Sequence, residues 1–135
     1  MSLEITQRER EGIVILDLDG RLTVGQEAGA LREAVLKLSA EGRYKVVLNL
    51  EKVEYIDSTG LGGLVICYTT LKRDGGALKL LNLNRRNVEL LVLTKLQTVF
   101  EVFNDEQDSV NSYFPGREIK RFDILSFVQQ SRQEE

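Results

Sequence analysis

Two kinds of apolar pattern alternate along the chain. Short runs rich in valine, isoleucine and leucine predict strands, and longer segments with apolar residues at every third or fourth position predict amphipathic helices. The predicted strands are residues 3–9, 13–19, 45–50, 77–83 and 98–102, and the predicted helices are residues 26–40, 58–73, 85–96 and 105–114. This order, ββαβαβαβα, predicts an α/β fold with a mixed sheet, in which an N-terminal antiparallel hairpin precedes parallel strands joined by right-handed crossovers.

The helix predicted at residues 58–73 has two distinct sides. Its core side carries apolar residues at helical spacing: Leu61, Leu64, Val65, Tyr68 and Leu71. The glycines of Asp74-Gly75-Gly76 then mark its end. The side away from the core is predicted to present a small, mildly apolar set: Gly62, Gly63, Ile66 and Thr70. Such a face suits the docking of another protein.

Composition narrows the class of function. The 135 residues, 42% of them hydrophobic, suit one folded domain. With a net charge of -3, the chain lacks the overall positive charge that is typical of a nucleic-acid-binding protein. The local pair Arg85-Arg86 is weak evidence for nucleic-acid binding. Histidine is absent, which removes the commonest general base and the Ser–His and Cys–His nucleophile pairs. We therefore expect neither enzymatic activity nor a cofactor.

The single cysteine and the N-terminal residues bear on location. Cys67 has no partner for an internal disulfide, which suits a reducing compartment. The start, Met1-Ser2-Leu3-Glu4, lacks the pattern of a signal peptide, and no apolar run approaches the length of a membrane span. The expected location is the cytoplasm, without membrane association.

Carboxylates are the remaining candidates for a metal site. One cysteine and no histidine exclude a zinc site of the usual nitrogen and sulfur type. The acidic candidates for magnesium or calcium are Asp17, Asp19, Asp105, Glu106 and Asp108. They follow no known loop spacing, so ordinary surface charge is the better interpretation and no metal is expected.

Ser58 stands where a predicted helix begins. Asp57, Ser58 and Thr59 are all residue types that cap helix N-termini. Free backbone N–H groups and the positive end of the helix dipole would favour a phosphate on Ser58, so this residue is either an ordinary cap or a phosphoacceptor. Capping alone is the more common role of such residues, but these residue types are compatible with both a cap and a phosphoacceptor.

Three glycines in the same helix need a reason. Gly60, Gly62 and Gly63 each cost about 1 kcal/mol in a helix relative to alanine. Either a partner's backbone approaches the helix closely, or the helix packs tightly on the sheet. Their spacing matches neither the P-loop nor the dinucleotide fingerprint, so the sequence does not predict a nucleotide pocket.

The segment Tyr55-Ile56-Asp57-Ser58-Thr59-Gly60-Leu61-Gly62 closely resembles the signature of STAS domains, the bacterial anti-sigma factor antagonists. The resemblance extends over roughly residues 3–114. It includes the order of elements, the turn Asp19-Gly20-Arg21-Leu22, and the strand Lys45-Val46-Val47-Leu48-Asn49-Leu50 before the signature. It implies a STAS domain at residues 1–114, followed by a C-terminal extension at residues 115–135.

The resemblance implies a function for Ser58. Proteins of this family bind an anti-sigma factor that is also a serine kinase, and thereby free a sigma factor for transcription. Phosphorylation of the serine that matches Ser58 turns binding off, and a phosphatase restores it. Thr59 is a second candidate acceptor, and the implied partner surface comprises Asp57, Gly60, Leu61, Gly62, Gly63, Ile66, Arg21 and Thr23.

The chain departs from the family pattern at two places. The family often has a Leu-Asp pair after the glycine that matches Gly20, and here the pair is Leu22-Thr23, which retains hydrogen bonding but lacks the charge. Residues 117–135 also extend past the usual end of the domain. Their apolar residues, Ile119, Phe122, Leu125 and Phe127, predict a helix that docks on its own domain, or a contact for a homodimer or another partner, as in a scaffold without phosphorylation. Disorder of this segment is the third alternative.

Overall fold

The structure, a computed structural model, describes residues 3–134, apart from the side chains of residues 26–28 and 131–134. The strands are β1 (Glu4–Arg10), β2 (Ile13–Leu22), β3 (Lys45–Ile56), β4 (Ala77–Leu81) and β5 (Val102–Phe103). The helices are α1 (Gln26–Ala40), α2 (Ser58–Arg73), α3 (Arg85–Leu93), α4 (Glu106–Asn111) and α5 (Ile124–Glu134), with a 3-10 turn at Leu96–Thr98.

The five strands form one mixed sheet in the order β1-β2-β3-β4-β5. β1 pairs antiparallel with β2, and all the other pairs are parallel. The hairpin turns on Glu11 and Gly12, which both have positive φ angles, of 53° and 82°. Two such residues match the twist of a hairpin. The predicted mixed α/β fold is confirmed.

Each face of the sheet buries its own apolar cluster, because successive side chains of a strand point to opposite faces. In β2, Val14, Leu16 and Leu18 belong to the larger cluster, together with apolar residues of α1, α2, α3 and α5. Ile13 and Ile15 belong to the smaller cluster, which α4 and the residues after it cover with Val110, Tyr113, Phe114 and Ile119. Helix α2 also packs against α1, so it is covered on more than one side.

The strand predicted at residues 98–102 is wrong. Residues 96–98 form a 3-10 turn, and β5 is only Val102–Phe103. β5 pairs only as Val102 with Leu80 and Phe103 with Leu81, because β4 ends at Leu81, before Asn82 with its positive φ of 60°, and the 3-10 turn precedes β5. The helix predicted at 85–96 ends at Leu93 for a similar reason, since Lys95 has a φ of 62°.

Residues beyond Pro115 return to the domain. The N–H of Phe122 donates to the carbonyl of Val102 at the edge of the sheet. Ile124 and Val128, one helical turn apart, are buried in the larger cluster, and α5 lies against α3. Phe122 and Phe127 pack on the same cluster, whereas Leu125 remains 56% exposed. The C-terminal helix therefore docks on its own chain.

Candidate functional site

Helix α2 begins directly after β3, and Asp57 is its N-cap. Oδ1 of Asp57 accepts a 2.8 Å hydrogen bond from the N–H of Gly60. The carbonyl of Asp57 accepts the first intrahelical bond, from the N–H of Leu61, also at 2.8 Å. Of the three predicted capping residues, the first performs the role, which leaves Ser58 and Thr59 as the first two residues inside the helix.

The other oxygen of the same carboxylate reaches a different loop. Oδ2 of Asp57 accepts a 3.0 Å hydrogen bond from the N–H of Val24, which follows β2. The N–H of Asp57 in turn donates to the carbonyl of Leu22 at 3.2 Å. Asp57 therefore joins the end of β2 to the start of α2.

Ser58 and Thr59 are both exposed. Both Asp57 carboxylate oxygens are engaged by backbone N–H groups, and within residues 3–134 no hydrogen bond joins Asp57 to the Ser58 hydroxyl. Asp57 thus fixes the backbone beside Ser58. The N–H groups of a helix's first turn have no intrahelical acceptors. The side chain of Asp57 binds only the N–H of Gly60, so it leaves the N–H groups of Ser58 and Thr59 for another acceptor.

The glycines of α2 have two possible explanations, tight packing on the sheet and close approach of a partner's backbone, and they differ in which one applies. Gly60 is buried, and a Cβ there would lie 2.0 Å from the carbonyl oxygen of Leu22, so close packing on β2 requires glycine. Gly62 is exposed, and a Cβ there would meet nothing within 4 Å. Gly63 is half-buried. Packing therefore explains Gly60 and leaves the glycine at position 62 without a reason inside the domain.

Some residues predicted for the outer face of α2 are covered. Thr70 is only 8% exposed and its hydroxyl donates to the carbonyl of Ile66, so its assignment to the outer face is wrong. It lies three residues after the buried Cys67, on a helix that packs against both the sheet and α1. Gly60 and Leu61, predicted as partner contacts, are also buried, and Leu61 belongs to the larger cluster. Ile66, in contrast, is 45% exposed.

Val24 is a surface residue that the sequence analysis missed. Its side chain is 68% exposed, although its N–H is bound by Asp57, next to Ser58. The available signal was an apolar residue in a short polar connection, directly before Gly25, which has a φ of 109°. Together with Ser58, Gly62 and Ile66, Val24 forms the set of exposed residues that we call the Ser58 surface.

The two predicted contacts on the preceding turn lie at the same end of the sheet. Arg21 is exposed and its Nε lies 3.8 Å from Oε2 of Glu54. Thr23 is half-buried, between the buried Leu22 and the exposed Val24.

The end of β3 is fixed by the start of α3. The side-chain amide of Asn84 donates to the carbonyls of Val53 and Glu54, at 3.3 and 3.1 Å. The amide of the buried Asn87 donates to Val53 as well, at 3.1 Å. The guanidinium of Arg86 lies over the ring of Tyr55, 4.4 Å from its centroid. These contacts hold the strand that leads into Asp57.

Two of the five acidic residues weighed as metal ligands, Asp17 and Glu106, bind an arginine. Among the side chains that the structure describes, no three from His, Cys, Asp or Glu residues are grouped closely enough to hold a metal ion. Asp17 and Glu106 instead share Arg8, whose Nε donates to Asp17 at 2.6 Å and whose Nη1 donates to Glu106 at 3.1 Å. These hydrogen bonds hold the pKa of both carboxyls below their usual values.

Cys67 is the one thiol of the chain. It is buried in the larger cluster, and burial raises its pKa to about 11. The thiolate is the nucleophilic form of cysteine, so this residue serves packing. In the part of the chain that the structure describes, no helix has both the length and the apolar character of a membrane span.

Comparison with known proteins gives a consistent result. A model of the STAS domain matches residues 4–109. The anti-sigma-B factor antagonist of Bacillus subtilis is 31% identical over 102 residues, which are 76% of this chain and 92% of that protein.

Solved structures share the fold. The anti-sigma factor antagonist from Mycobacterium paratuberculosis has a TM-score of 0.72 at 21% identity, over 82% of this chain and 92% of that one. The Bacillus protein SpoIIAA, solved in an unphosphorylated and a phosphorylated form, has a TM-score of 0.64 in both, at 16% and 17% identity. These matches cover 84% and 82% of this chain, and 100% and 99% of SpoIIAA. The chain therefore belongs to the STAS domain family.

Proposed function

We propose that this protein is a bacterial, cytoplasmic anti-sigma factor antagonist whose binding is switched off by phosphorylation of Ser58. Its partner is an anti-sigma factor with serine kinase activity, and a phosphatase reverses the modification. The observation that carries the proposal is the position of Ser58, exposed on the first turn of α2 and directly after the fixed Asp57. The protein acts as a switch in transcription regulation and not as an enzyme.

The start of α2 favours a phosphate on Ser58. N–H groups at a helix N-terminus bind anions, and the helix dipole favours negative charge there. A phosphate adds close to two negative charges at neutral pH. The modified residue therefore needs no rearrangement of the domain.

The Ser58 surface explains how one modification blocks a partner. Val24, Gly62 and Ile66 offer apolar and small groups, which a partner would cover and dehydrate. A doubly charged phosphate inside such an interface must lose much of its water against the apolar groups of the partner, which is costly. Phosphorylation therefore removes the partner without unfolding the antagonist.

The relatives support the same role. The Bacillus subtilis relative is named an anti-sigma-B factor antagonist, and SpoIIAA, which has the same fold, occurs in a phosphorylated form. The further support is the chain's own exposed serine at the start of the helix.

Mass spectrometry tests the acceptor. The purified protein is incubated with ATP and the kinase-type anti-sigma factor encoded in the same genome. We expect one phosphate, on the peptide that contains Ser58, and its loss on treatment with a phosphatase. Ser58→Ala should remain unmodified, whereas Thr59→Ala should be modified normally. Phosphate on Thr59 alone would reject Ser58 as the acceptor.

Calorimetric binding to the same anti-sigma factor tests the switch. Ser58→Asp should weaken binding strongly and Ser58→Ala should preserve it. Thr69→Asp is the matched control, because Thr69 is an exposed residue of the same helix, three turns further on. Equal binding by the wild type and Ser58→Asp, together with no phosphorylation, would reject the proposal.

A second candidate is a STAS scaffold, a subunit of an oligomeric signalling complex that self-associates through residues 117–135. Leu125 favours it, because this apolar side chain is 56% exposed on the docked helix α5. Light scattering of the full chain and of Leu125→Glu discriminates the two functions. A monomer in both cases contradicts the scaffold, and a dimer that Leu125→Glu dissociates supports it.

A further inference from the structure

Two arginines flank one tyrosine at the end of the sheet that carries Ser58. Arg21 of β2 is the register partner of Tyr55 in β3. Arg86, from the first turn of α3, lies over the ring of Tyr55, 4.4 Å from the ring centroid. We call Arg21, Tyr55 and Arg86 the arginine patch. Its basic character contrasts with the net charge of -3 of the whole chain.

The positive charge of the arginine patch is poorly compensated. Arg21 has one carboxylate neighbour, Glu54, at the long distance of 3.8 Å, and both side chains are largely in solvent. Such exposed pairs contribute little. For Arg86, the contact with Tyr55 is the interaction seen, and none of the carboxylates whose side chains the structure describes forms a salt bridge with it. Both guanidinium groups can therefore bind a new anionic partner.

The arginine patch is continuous with the Ser58 surface. Tyr55 precedes Ser58 by three residues, so their Cα atoms are at most about 11 Å apart. The intervening backbone is fixed, because Asn84 holds the carbonyl of Glu54 and Asp57 caps α2. A protein that covers the Ser58 surface would extend over the patch, since a standard interface buries about 800 Å² on each partner.

We propose that the arginine patch binds an acidic segment of the anti-sigma factor, and that phosphate on Ser58 releases the partner by repelling that segment. This inference rests on the proposed function and identifies the charge of the partner's contact. Arg21 and Arg86 attract carboxylates, and Arg86 is already oriented by its stacking on Tyr55.

The range of the interaction fits this role. Exposed charges act over a Debye length of about 8 Å at physiological salt. A phosphate on Ser58 carries nearly two negative charges, and Ser58 lies at most about 11 Å from Tyr55 of the patch, which is comparable to the Debye length. It therefore offsets the two arginine charges and repels the carboxylates that the arginines attract, in addition to disturbing the apolar contacts.

Binding of the kinase-type anti-sigma factor to charge variants tests the inference. In Arg21→Glu/Arg86→Glu we expect the affinity to fall about tenfold or more at about 50 mM salt, and much less at about 300 mM salt. Arg73→Glu is the matched control, because Arg73 is an exposed arginine at the far end of α2, and it should bind within about twofold of the wild type. Arg21→Gln/Arg86→Gln removes the charges with little change of size. Its decrease in the logarithm of the affinity should be about half of that in Arg21→Glu/Arg86→Glu.

The coupling to Ser58 is measured by adding Ser58→Asp to each protein. If phosphate acts through charge on the partner's acidic segment, Ser58→Asp should weaken binding by a smaller factor in Arg21→Gln/Arg86→Gln than in the wild type. Circular dichroism and a thermal melt of each variant establish that it is folded, and the glutamine pair replaces the glutamate pair if the latter unfolds.

The outcomes separate the two proposals. If the wild type binds and responds to Ser58→Asp while all arginine variants bind like Arg73→Glu, the acidic contact is rejected and the proposed function stands. An affinity of the wild type that does not depend on salt would reject the acidic contact as well. If the wild type does not bind the anti-sigma factor at all, the proposed function fails and the arginine patch loses its assigned partner with it.

Discussion

The backbone N–H of Val24 donates a 3.0 Å hydrogen bond to Oδ2 of Asp57, a residue 33 positions further along the chain. The second oxygen of the same carboxylate caps α2 through the N–H of Gly60. One side chain thus sets the loop that exposes Val24 and the helix turn that exposes Ser58. Both parts of the proposed docking surface depend on this carboxylate.

Two substitutions at Asp57 separate its two roles. Asparagine is also a good N-cap, but its amide nitrogen cannot accept the hydrogen bond from Val24. We expect Asp57→Asn to lower the free energy of unfolding by about 1 kcal/mol, and Asp57→Ala by about 2 kcal/mol because the cap is lost as well. Urea unfolding measures both values. Exchange of the Val24 amide proton, followed by NMR, should accelerate in both variants.

Unchanged exchange at Val24 in Asp57→Asn would contradict the link between the loop and the helix. Asp105→Asn is a suitable control, because Asp105 performs the same capping role on a different helix, α4, where its Oδ2 accepts from the N–H of Asp108. It should leave Val24 exchange as in the wild type.

Alanine at two positions of α2 should have opposite effects on stability. In Gly60→Ala, the new Cβ would lie 2.0 Å from the carbonyl oxygen of Leu22, so the helix must move away from β2, at a cost of about 1–3 kcal/mol or more. In Gly62→Ala the Cβ meets open space, and the gain in helix propensity should stabilise the fold by about 0.5–1 kcal/mol. Thermal or urea unfolding measures both.

Gly62→Ala also has a consequence for binding. If glycine at this exposed position permits a partner's backbone to approach, the stabilised variant should bind the anti-sigma factor more weakly than the wild type. Stabilisation by Gly60→Ala would contradict the packing explanation for that glycine.

The fold was largely predictable, because most elements follow from local pattern. The helices predicted at 26–40 and 58–73 have these bounds in the structure, since the apolar spacing and the glycines after each helix agree there, and Asp57 caps the second. Strand β5 was not predictable from its own residues. β4 limits its end, because β4 stops at Leu81, and the 3-10 turn at Leu96–Thr98 precedes its start. The run at 98–102 carries no sign of either.

The site was predictable in outline only. The residue types at Asp57, Ser58 and Thr59 indicated a helix start, and the STAS signature indicated a phosphoacceptor. Burial of Gly60 and Thr70 depends on β2 and on the neighbouring helix α1, which helical periodicity alone does not reveal. Hydrogen bonds between distant segments, such as that of Val24, leave no local pattern in the sequence.

Acid should weaken the contact between β1 and α4. Hydrogen bonds from Arg8 lower the pKa of Asp17 and Glu106 in the folded state. A carboxyl with a lowered folded-state pKa stabilises the fold above its unfolded-state pKa, and loses that contribution as pH falls through the folded-state value. Stability should therefore decrease from about pH 4.5 downwards. Urea midpoints at neutral and acid pH measure the loss.

Arg8→Gln is the informative variant for this pH dependence. It should be less stable than the wild type at neutral pH, and the difference should shrink in acid, because protonated carboxyls no longer bind Arg8 as anions. Arg73→Gln, at an exposed site on another element, serves as the control and should shift the whole profile little. A constant difference between Arg8→Gln and the wild type at all pH values would contradict the role of these ion pairs.

The docked α5 should contribute to the stability of the whole domain. Ile124 is buried in the larger cluster, and Ile124→Ala should lower the free energy of unfolding by about 2–4 kcal/mol because it leaves a cavity against the domain. Leu125→Ala, at the next residue, removes a largely exposed side chain and should change stability by less than about 0.5 kcal/mol. Urea unfolding of the full chain gives both values. Equal and small effects would mean that α5 does not depend on Ile124 for its docking, whereas the expected contrast makes residues 117–134 part of the folded domain.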